Sequence, residues 1–392
     1  MLWLFNLLVL AQASLAITHV GVVDVRAGKI VSDRTVVIRG RTIVIVGDAR
    51  STDVSPETRT IDGRGKFLIP GLWDMHVHLD ESDLAALLTA GITGARDMGG
   101  DLEQLLSWRR RGPRLVFAGP VLRGPRSEND TGSAGAWVIR TAEQGARAVD
   151  SLALRGVDFI KVHEDLSREA YFAIAYAAKA RHLPFVGHVA ASLTPIQVSE
   201  AGQRSIEHLE FVPDRCLGVF AGQQPSGCAA AIDSVVDALS RNGTWLDPTI
   251  GSFRIFAKQQ FPAILAGFKT LVPALRAHHI KLLAGTDLGT AGIIPGASLH
   301  DELSLLVAAG FTPLEALRAA TLNPAEFLDA TDSLGTIEAG KLADLVLLRA
   351  DPLRDISNTR SIAAVIRDGR VCDPHARDLA HSEFRCAFGK VE

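Results

Sequence analysis

Apolar and polar positions along this chain follow two rhythms. Between residues 17 and 66, short β-branched runs at 19–25, 35–39 and 42–46 are separated by Gly, Asp and Arg turns. Short β-branched runs bounded by turn residues read as strands. The same texture returns in 343–348 and 362–366, the latter followed by Asp368-Gly369, a hairpin-turn signal. Two β-rich ends around a long middle predict one small sheet domain assembled from both ends of the chain. The middle alternates short apolar runs with stretches of helical period. Eight runs read as strands, at 72–78, 92–97, 114–118, 158–162, 185–189, 205–209, 245–248 and 281–286. Helical stretches lie between them, among them 82–90, 141–155, 168–181 and 234–241. A further helix is expected over 298–309, and Thr312-Pro313-Leu314-Glu315 carries the cap and first-turn proline of another. This is an α/β protein, and eight βα units predict a closed (β/α)8 TIM barrel rather than a doubly wound sheet. No G-x-G-x-x-G opens a helix after the first strand, which removes the dinucleotide-binding alternative. The predicted organisation is a leader at 1–16, the sheet domain from 17–69, the barrel over 70–334, and the sheet domain again with a tail over 335–392.

Composition narrows the class without naming a chemistry. Of 392 residues, 47% are hydrophobic and 22% charged, as in an ordinary globular protein. A formal net charge of -3 leaves no basic footprint for nucleic acid or an anionic membrane. Residues 1–16 are apolar and end Ser14-Leu15-Ala16, small at the last and third-last positions, as a secretory signal peptide requires. The run is too short to span a bilayer comfortably, so no stable membrane insertion is expected, although it lacks a leading Lys or Arg. The reading is an exported protein, periplasmic or secreted, with an uncleaved anchor or a misassigned start as the alternatives. Four cysteines form two sequence-local pairs, Cys216–Cys228 and Cys372–Cys386, expected as disulfides in an oxidising compartment. Four free thiols or another connectivity are the other readings, and the absence of any C-x-x-C argues against a thiolate zinc site.

Candidate chemistry sits at the strand ends. His76 and His78, in Gly71-Leu72-Trp73-Asp74-Met75-His76-Val77-His78, share one strand face, so both imidazoles aim at one point, with Asp74 below and Trp73, Met75 and Val77 opposite. Two convergent histidines suit a divalent metal such as zinc. Strand four places Lys161 between Ile160 and Val162, strand five ends at His188, strand six at His208, and strand eight at Asp287. Singly, these are a rim histidine, a snorkelling lysine and a turn aspartate. Together, six polar groups closing apolar strands of a barrel predict a metal centre at its catalytic face.

With these residues in this order, the sequence resembles the amidohydrolase superfamily, in its binuclear, imidazolonepropionase-like and prolidase-like members. Further matches are Leu68-Ile69-Pro70-Gly71, Asn323-Pro324-Ala325, and the run from Gly335-Thr336-Ile337-Glu338-Ala339-Gly340-Lys341 through Ala343-Asp344-Leu345-Val346 to Asp351-Pro352-Leu353. The resemblance implies a barrel flanked by a β-sandwich built from both chain ends. It implies two divalent metal ions, zinc foremost, and a Lys161 carboxylated by CO2 to give a bridging carbamate. His76, His78, Lys161 and Asp287 would hold one ion, and Lys161, His188 and His208 the other. A metal-bridging hydroxide would attack, with Asp287 as general base and then acid. The implied substrate is a dipeptide or N-acyl amino acid, with a lactonase or phosphotriesterase on the same centre as the alternative. A mononuclear deaminase is the weaker alternative, because no acid follows His188 in Val189-Ala190-Ala191-Ser192. The partner is a small molecule, and a homo-oligomer is compatible with the sequence. His163 shares the parity of Lys161 and is a candidate for the pocket or a rim hydrogen bond, His300 and Arg254 are candidates for substrate contact or plain structural roles, and 124–135 is a lid or a loop.

Overall fold

The computed structural model describes residues 14–223 and 225–372 of the chain. Strands β1 (Ser14–Asp24), β2 (Lys29–Arg39), β3 (Thr42–Asp48), β4 (Arg59–Asp62) and β5 (Phe67–Pro70) open it. The barrel region contributes β6 (Leu72–Val77), β7 (Ile92–Asp97), β8 (Arg114–Phe117), β9 (Val121–Arg123), β10 (Ala136–Val138), β11 (Ile160–Val162), β12 (Phe185–Gly187), β13 (Ser205–Glu207) and β14 (Trp245–Asp247). Strands β15 (Leu345–Leu348), β16 (Ile362–Arg367) and β17 (Arg370–Cys372) return to the first sheet. That sheet has eight strands in the order β17-β16-β15-β5-β1-β2-β3, with β4 on β1, so both ends of the chain do build it. Its inward residues form a separate apolar core of Ile17, Val36, Ile38, Leu68, Leu345 and Leu347 among others, the burial that a period of two provides.

Two features bear on the expected boundaries. Ser14, Leu15 and Ala16 pair with Arg39, Ile38 and Val37, so the sheet reaches into the segment read as a leader. Residues 1–13 lie outside the described residues, as does Cys386 of the expected Cys372–Cys386 bridge. Only Gly71 separates β5 from β6. A Cβ there would lie 1.9 Å from Thr93 Oγ1, so the junction admits no side chain.

The expected single closed sheet is the main correction. Parallel strands of the middle divide between a three-stranded sheet, β6-β7-β8, and a six-stranded one, β10-β9-β11-β12-β13-β14. Strands β9 and β10 were not foreseen; they flank the segment read as a loop and pair with each other. The eighth predicted strand, 281–286, forms no ladder. It lies between the arcs through Leu246 N–H to Lys281 O, Leu283 N–H to Leu246 O and Met75 N–H to Ala284 O. At the other seam Asp158 N–H donates to Phe117 O. Several of the strands are three residues long, too short for long ladders. Gly285 shows why strand eight is irregular: a Cβ would sit 2.5 Å from His76 Cβ and 2.7 Å from the Asp247 carboxylate.

Helices Ala142–Leu154 and Arg168–Ala180 match the expected ones, capped by Thr141 and Ser167. Pro313–Ala319 opens with the Thr312/Glu315 capping box. Phe261–Ala277, with Pro273 inside it, is the helix before strand eight. Ile160 and Val162 face the helix layer, as their parity with Lys161 predicts. Trp73 and Met75, however, join Phe159, Val186 and Leu283 in one apolar layer. A register shift between Asp74 and Val77 breaks the strict alternation expected there.

Candidate metal centre

Each of the six predicted site residues lines one cavity. His76 Nε2 lies 3.5 Å and His78 Nε2 3.7 Å from Asp287 Oδ1. The His76 ring is 5.0 Å from His208 and 5.6 Å from His78, and His188 is 4.9 Å from His208, centroid to centroid. Ligand-type atoms of His76, His208 and Asp287 fall within 4.8 Å of one another. Backbone strain accompanies the placement. His208 (φ 57°) and Asp287 (φ 62°) are left-handed, and so is Thr249 (φ 41°) just after β14. Such non-glycine conformations cost about 1–3 kcal/mol each and persist only where the surroundings enforce them.

The four histidines are turned alike. His76 Nδ1 meets Glu207 Oε2 at 3.0 Å, and His78 Nδ1 donates to Gly99 O at 2.8 Å. His188 Nδ1 meets Glu210 Oε1 at 2.6 Å, and His208 Nδ1 meets Thr249 Oγ1 at 2.7 Å. A carboxylate or carbonyl partner accepts, so Nδ1 carries the proton and Nε2 keeps its lone pair for the centre. This outer bonding is what metal-ligating histidines require. Burial, reinforced by Lys161, holds His76 and His188 well below the usual histidine range; burial and His188 do the same for His208. The imidazoles are therefore neutral, as ligands must be.

Lys161 is the anomaly that tests the centre. Its Nζ is fully buried and has no hydrogen-bond partner among the described residues. Burial also lowers its pKa. An ammonium with three unused donors is expensive in such a place. A neutral amine or a carbamate facing metal ions is not, so the donor set fits a divalent pair. Asp287 is pushed up to about 6, mainly by burial.

Several residues of the site escaped the sequence reading. Arg96, wholly buried, donates to Glu207 at 2.9 Å, Asp247 at 3.2 Å and Ser205 at 3.0 Å, and through Nε to Met75 O. Its guanidinium bridges Glu207 and Asp247, and Glu207 in turn braces His76 through Nδ1. Asp74 accepts from Thr286 N–H and Oγ1, fixing the turn into Asp287, and is pushed up to about 7 by burial. Glu302 accepts from Ile250 and Gly251 N–H and so secures the segment holding Thr249 under His208. An arginine beside Asp97 in the strand Ile92–Asp97 was the available signal.

Other candidates separate cleanly. His163 lines the cavity, 4.5 Å from the His188 ring, with Nδ1 3.1 Å from Asp165. His300 is buried between Thr359 Oγ1 and Ala90 O, away from the cavity lining. Arg254 lies over the Phe261 ring at 5.3 Å rather than lining the cavity. The cavity measures about 1320 Å³ and is walled in part by Asp214–Ala221, which the Cys216–Cys228 disulfide ties to the helix Cys228–Asn242. Three arginines line it. Arg123 pairs with Asp130 and Arg126 with Asp165, whereas Arg215 is exposed and has no ion pair among the described residues.

Comparison with known proteins gives one family. The amidohydrolase family profile matches residues 67–372. An adenine deaminase of Rubrobacter xylanophilus is 23% identical over 384 residues, covering 91% of this chain and 58% of that protein. A second, from Deinococcus deserti, is covered to 52%, so the chain spans little more than half of these relatives. An imidazolonepropionase of Pseudomonas fluorescens is 23% identical over 385 residues, covering 86% of this chain and 93% of that one. Among solved structures, a Xaa-Pro dipeptidase with bound methionine superposes with a TM-score of 0.74 at 22% identity, over 92% of this chain and 99% of that one. No helix among the described residues is long and apolar enough to cross a membrane.

Proposed function

The chain belongs to the amidohydrolase family, in its imidazolonepropionase-like and prolidase-like branch, and on that premise we propose that it is a metal-dependent hydrolase of a dipeptide or N-acyl amino acid amide bond. One observation carries the reading: the unpartnered, buried Lys161 Nζ at the focus of four histidines whose Nε2 atoms are free. His76, His78, Lys161 and Asp287 would hold one divalent ion, and a carboxylated Lys161, His188 and His208 the second, zinc being the first candidate. When bound, such ions activate water at neutral pH and polarise the scissile carbonyl. The two arcs joined at both seams are read as one (β/α)8 barrel, with the centre at the strand ends where such barrels place their chemistry.

The chain's own residues supply the rest. Asp287, against His76 and His78 and open to the cavity, takes the proton of the attacking water and returns it to the leaving nitrogen. An amide needs that return, because an amine anion leaves poorly. Arg215 is the cation available to a substrate carboxylate, through a bidentate bond. The Cys216–Cys228 bridge supports an exported protein.

Deamination is the second reading, favoured by the adenine deaminase likenesses. Glu210 stands against it as a proton carrier, since its oxygens already accept from His188 Nδ1 and Val189 N–H. The test is a panel of dipeptides, N-acyl amino acids, lactones, phosphotriesters and adenine, run beside metal analysis. Amide cleavage with about two metal ions per chain is expected. Turnover of lactones, phosphotriesters or adenine without any amide cleavage refutes the proposal. Arg215→Gln should cost roughly 10- to 100-fold in kcat/KM, carried by KM, the range of a hydrogen bond to a charged group. The loss should vanish for substrates whose carboxylate is capped as an amide.

A further inference from the structure

We propose that the acyl side of the substrate is an extended apolar group of the fatty-acyl class, an inference that rests on the amide reading above. The first ground is size. At about 1320 Å³ the cavity exceeds the roughly 300–1,000 Å³ usual for small-molecule sites, and a dipeptide leaves most of it unfilled. The second is lining. All the ionisable ligand candidates gather at one end, around Lys161. Away from them the wall includes an apolar stretch of Leu193, Ile196, Val212, Phe220 and Ile264, beside the polar stretch that holds Asp214 and Arg215. The third is the mouth. Leu217 and Phe256 line the cavity yet remain 48% and 65% exposed. Ile255, next to Phe256, is 39% exposed and faces the turn at Gly292, two residues before the 62% exposed Ile294. Four of the nine exposed large apolar side chains among the described residues thus gather at or beside one rim, so their placement is not scatter. These side chains give an apolar strip between the centre and the rim, alongside the charged Asp214 and Arg215. It suits a flexible chain longer than any amino-acid side chain, with its carbonyl at the centre and its tail toward the mouth.

The experiment is a chain-length series on the metal-loaded enzyme: N-acetyl, N-hexanoyl, N-octanoyl and N-dodecanoyl derivatives of one amino acid. The kcat/KM should climb with length, by up to about fourfold per methylene, equivalent to about 0.8 kcal/mol, until the cavity is filled. Phe256→Ser and Leu217→Asn should each lower the dodecanoyl-to-acetyl ratio about tenfold. The ratio is read within one preparation, so partial unfolding cancels. Hydrolysis of the N-acetyl substrate with a flat or falling series overturns this inference alone. Hydrolysis of no amide in the series, dipeptides included, overturns the amide reading and this inference with it.

Discussion

The floor and the mouth of the cavity are built on opposite principles. At the floor, histidines at the ends of β6, β12 and β13 are each pinned through Nδ1, and beneath them Arg96 ties Glu207 and Asp247 into a buried ionic cluster. At the mouth, Leu217 and Phe256 stand half in solvent on short helical turns, and Arg215 has no acid partner among the described residues. The floor holds a fixed arrangement of donors and tolerates strain at His208 and Asp287 to do so. The mouth offers area and the charges of Asp214 and Arg215. Chemistry is therefore set by strand ends and selection by loops, the usual division of labour on a rigid scaffold.

The sharpest way to break the contrast is at the floor. Asp287→Asn keeps the shape and removes the proposed proton carrier. Amide turnover should fall by at least 10²–10⁴-fold, with the circular dichroism spectrum unchanged. A variant within tenfold of the wild type would take Asp287 out of the proton path.

Arg96→Met separates stability from catalysis at the same floor. It leaves Glu207 and Asp247 as two buried carboxylates without their shared cation. Removing one partner of a buried pair costs about 3–5 kcal/mol, and loss of an outer bond to a ligand weakens metal binding about 10- to 100-fold. Denaturant midpoints and metal titration should both shift. Arg215→Met, on the exposed mouth, should move neither. Equal stability of the two variants would mean that the ionic cluster contributes nothing to the floor.

How far the sequence revealed this contrast depends on range. His76, His78, Lys161, His188, His208 and Asp287 could be picked out because each closes its own apolar run, a local signal. Their convergence in one cavity follows from strand parity. Arg96 meets Ser205, Glu207 and Asp247 across 109, 111 and 151 residues, and no local pattern announces such pairs. Strand eight failed as a ladder because Gly285 must let His76 and Asp247 approach, which is a packing demand rather than a propensity. Arg254, not Arg215, was the arginine singled out in sequence for substrate contact. A disulfide and a turn of 3-10 helix put Arg215 on the cavity, and an aromatic ring holds Arg254 aside.

The mouth can be loosened without touching the floor. Replacing Cys216 and Cys228 together by Ala removes a cross-link of sequence separation 12. Loop-closure entropy puts its contribution at about 3 kcal/mol. Thermal unfolding should shift down, and KM should rise as Asp214–Ala221 loses its tie, with metal content unchanged. A loss of bound metal would show that wall and floor are not separate.

The smallest effect distinguishes a scaffold histidine from those of the centre. His300 has both nitrogens engaged: Nε2–H donates to Ala90 O, a carbonyl that only accepts, and Nδ1 faces the Thr359 hydroxyl. Burial, with Arg360 adding to it and Asp301 opposing it, lowers its pKa to about 4, against an ordinary value of 6.5. On acidification the unfolded chain takes up this proton first. The stabilisation from neutral His300 is thus fully present above pH 6.5 and is lost as the pH falls towards 4. Between pH 7 and pH 5 the loss is about 2 kcal/mol. Histidines of the centre titrate in the same interval, so the difference between wild type and His300→Gln isolates this one. Glutamine can still donate to Ala90 O, but it does not ionise. Denaturant midpoints of the metal-loaded proteins should converge by about 2 kcal/mol from pH 7 to pH 5. Parallel curves would mean that His300 is already protonated in the folded protein, with both nitrogens as donors.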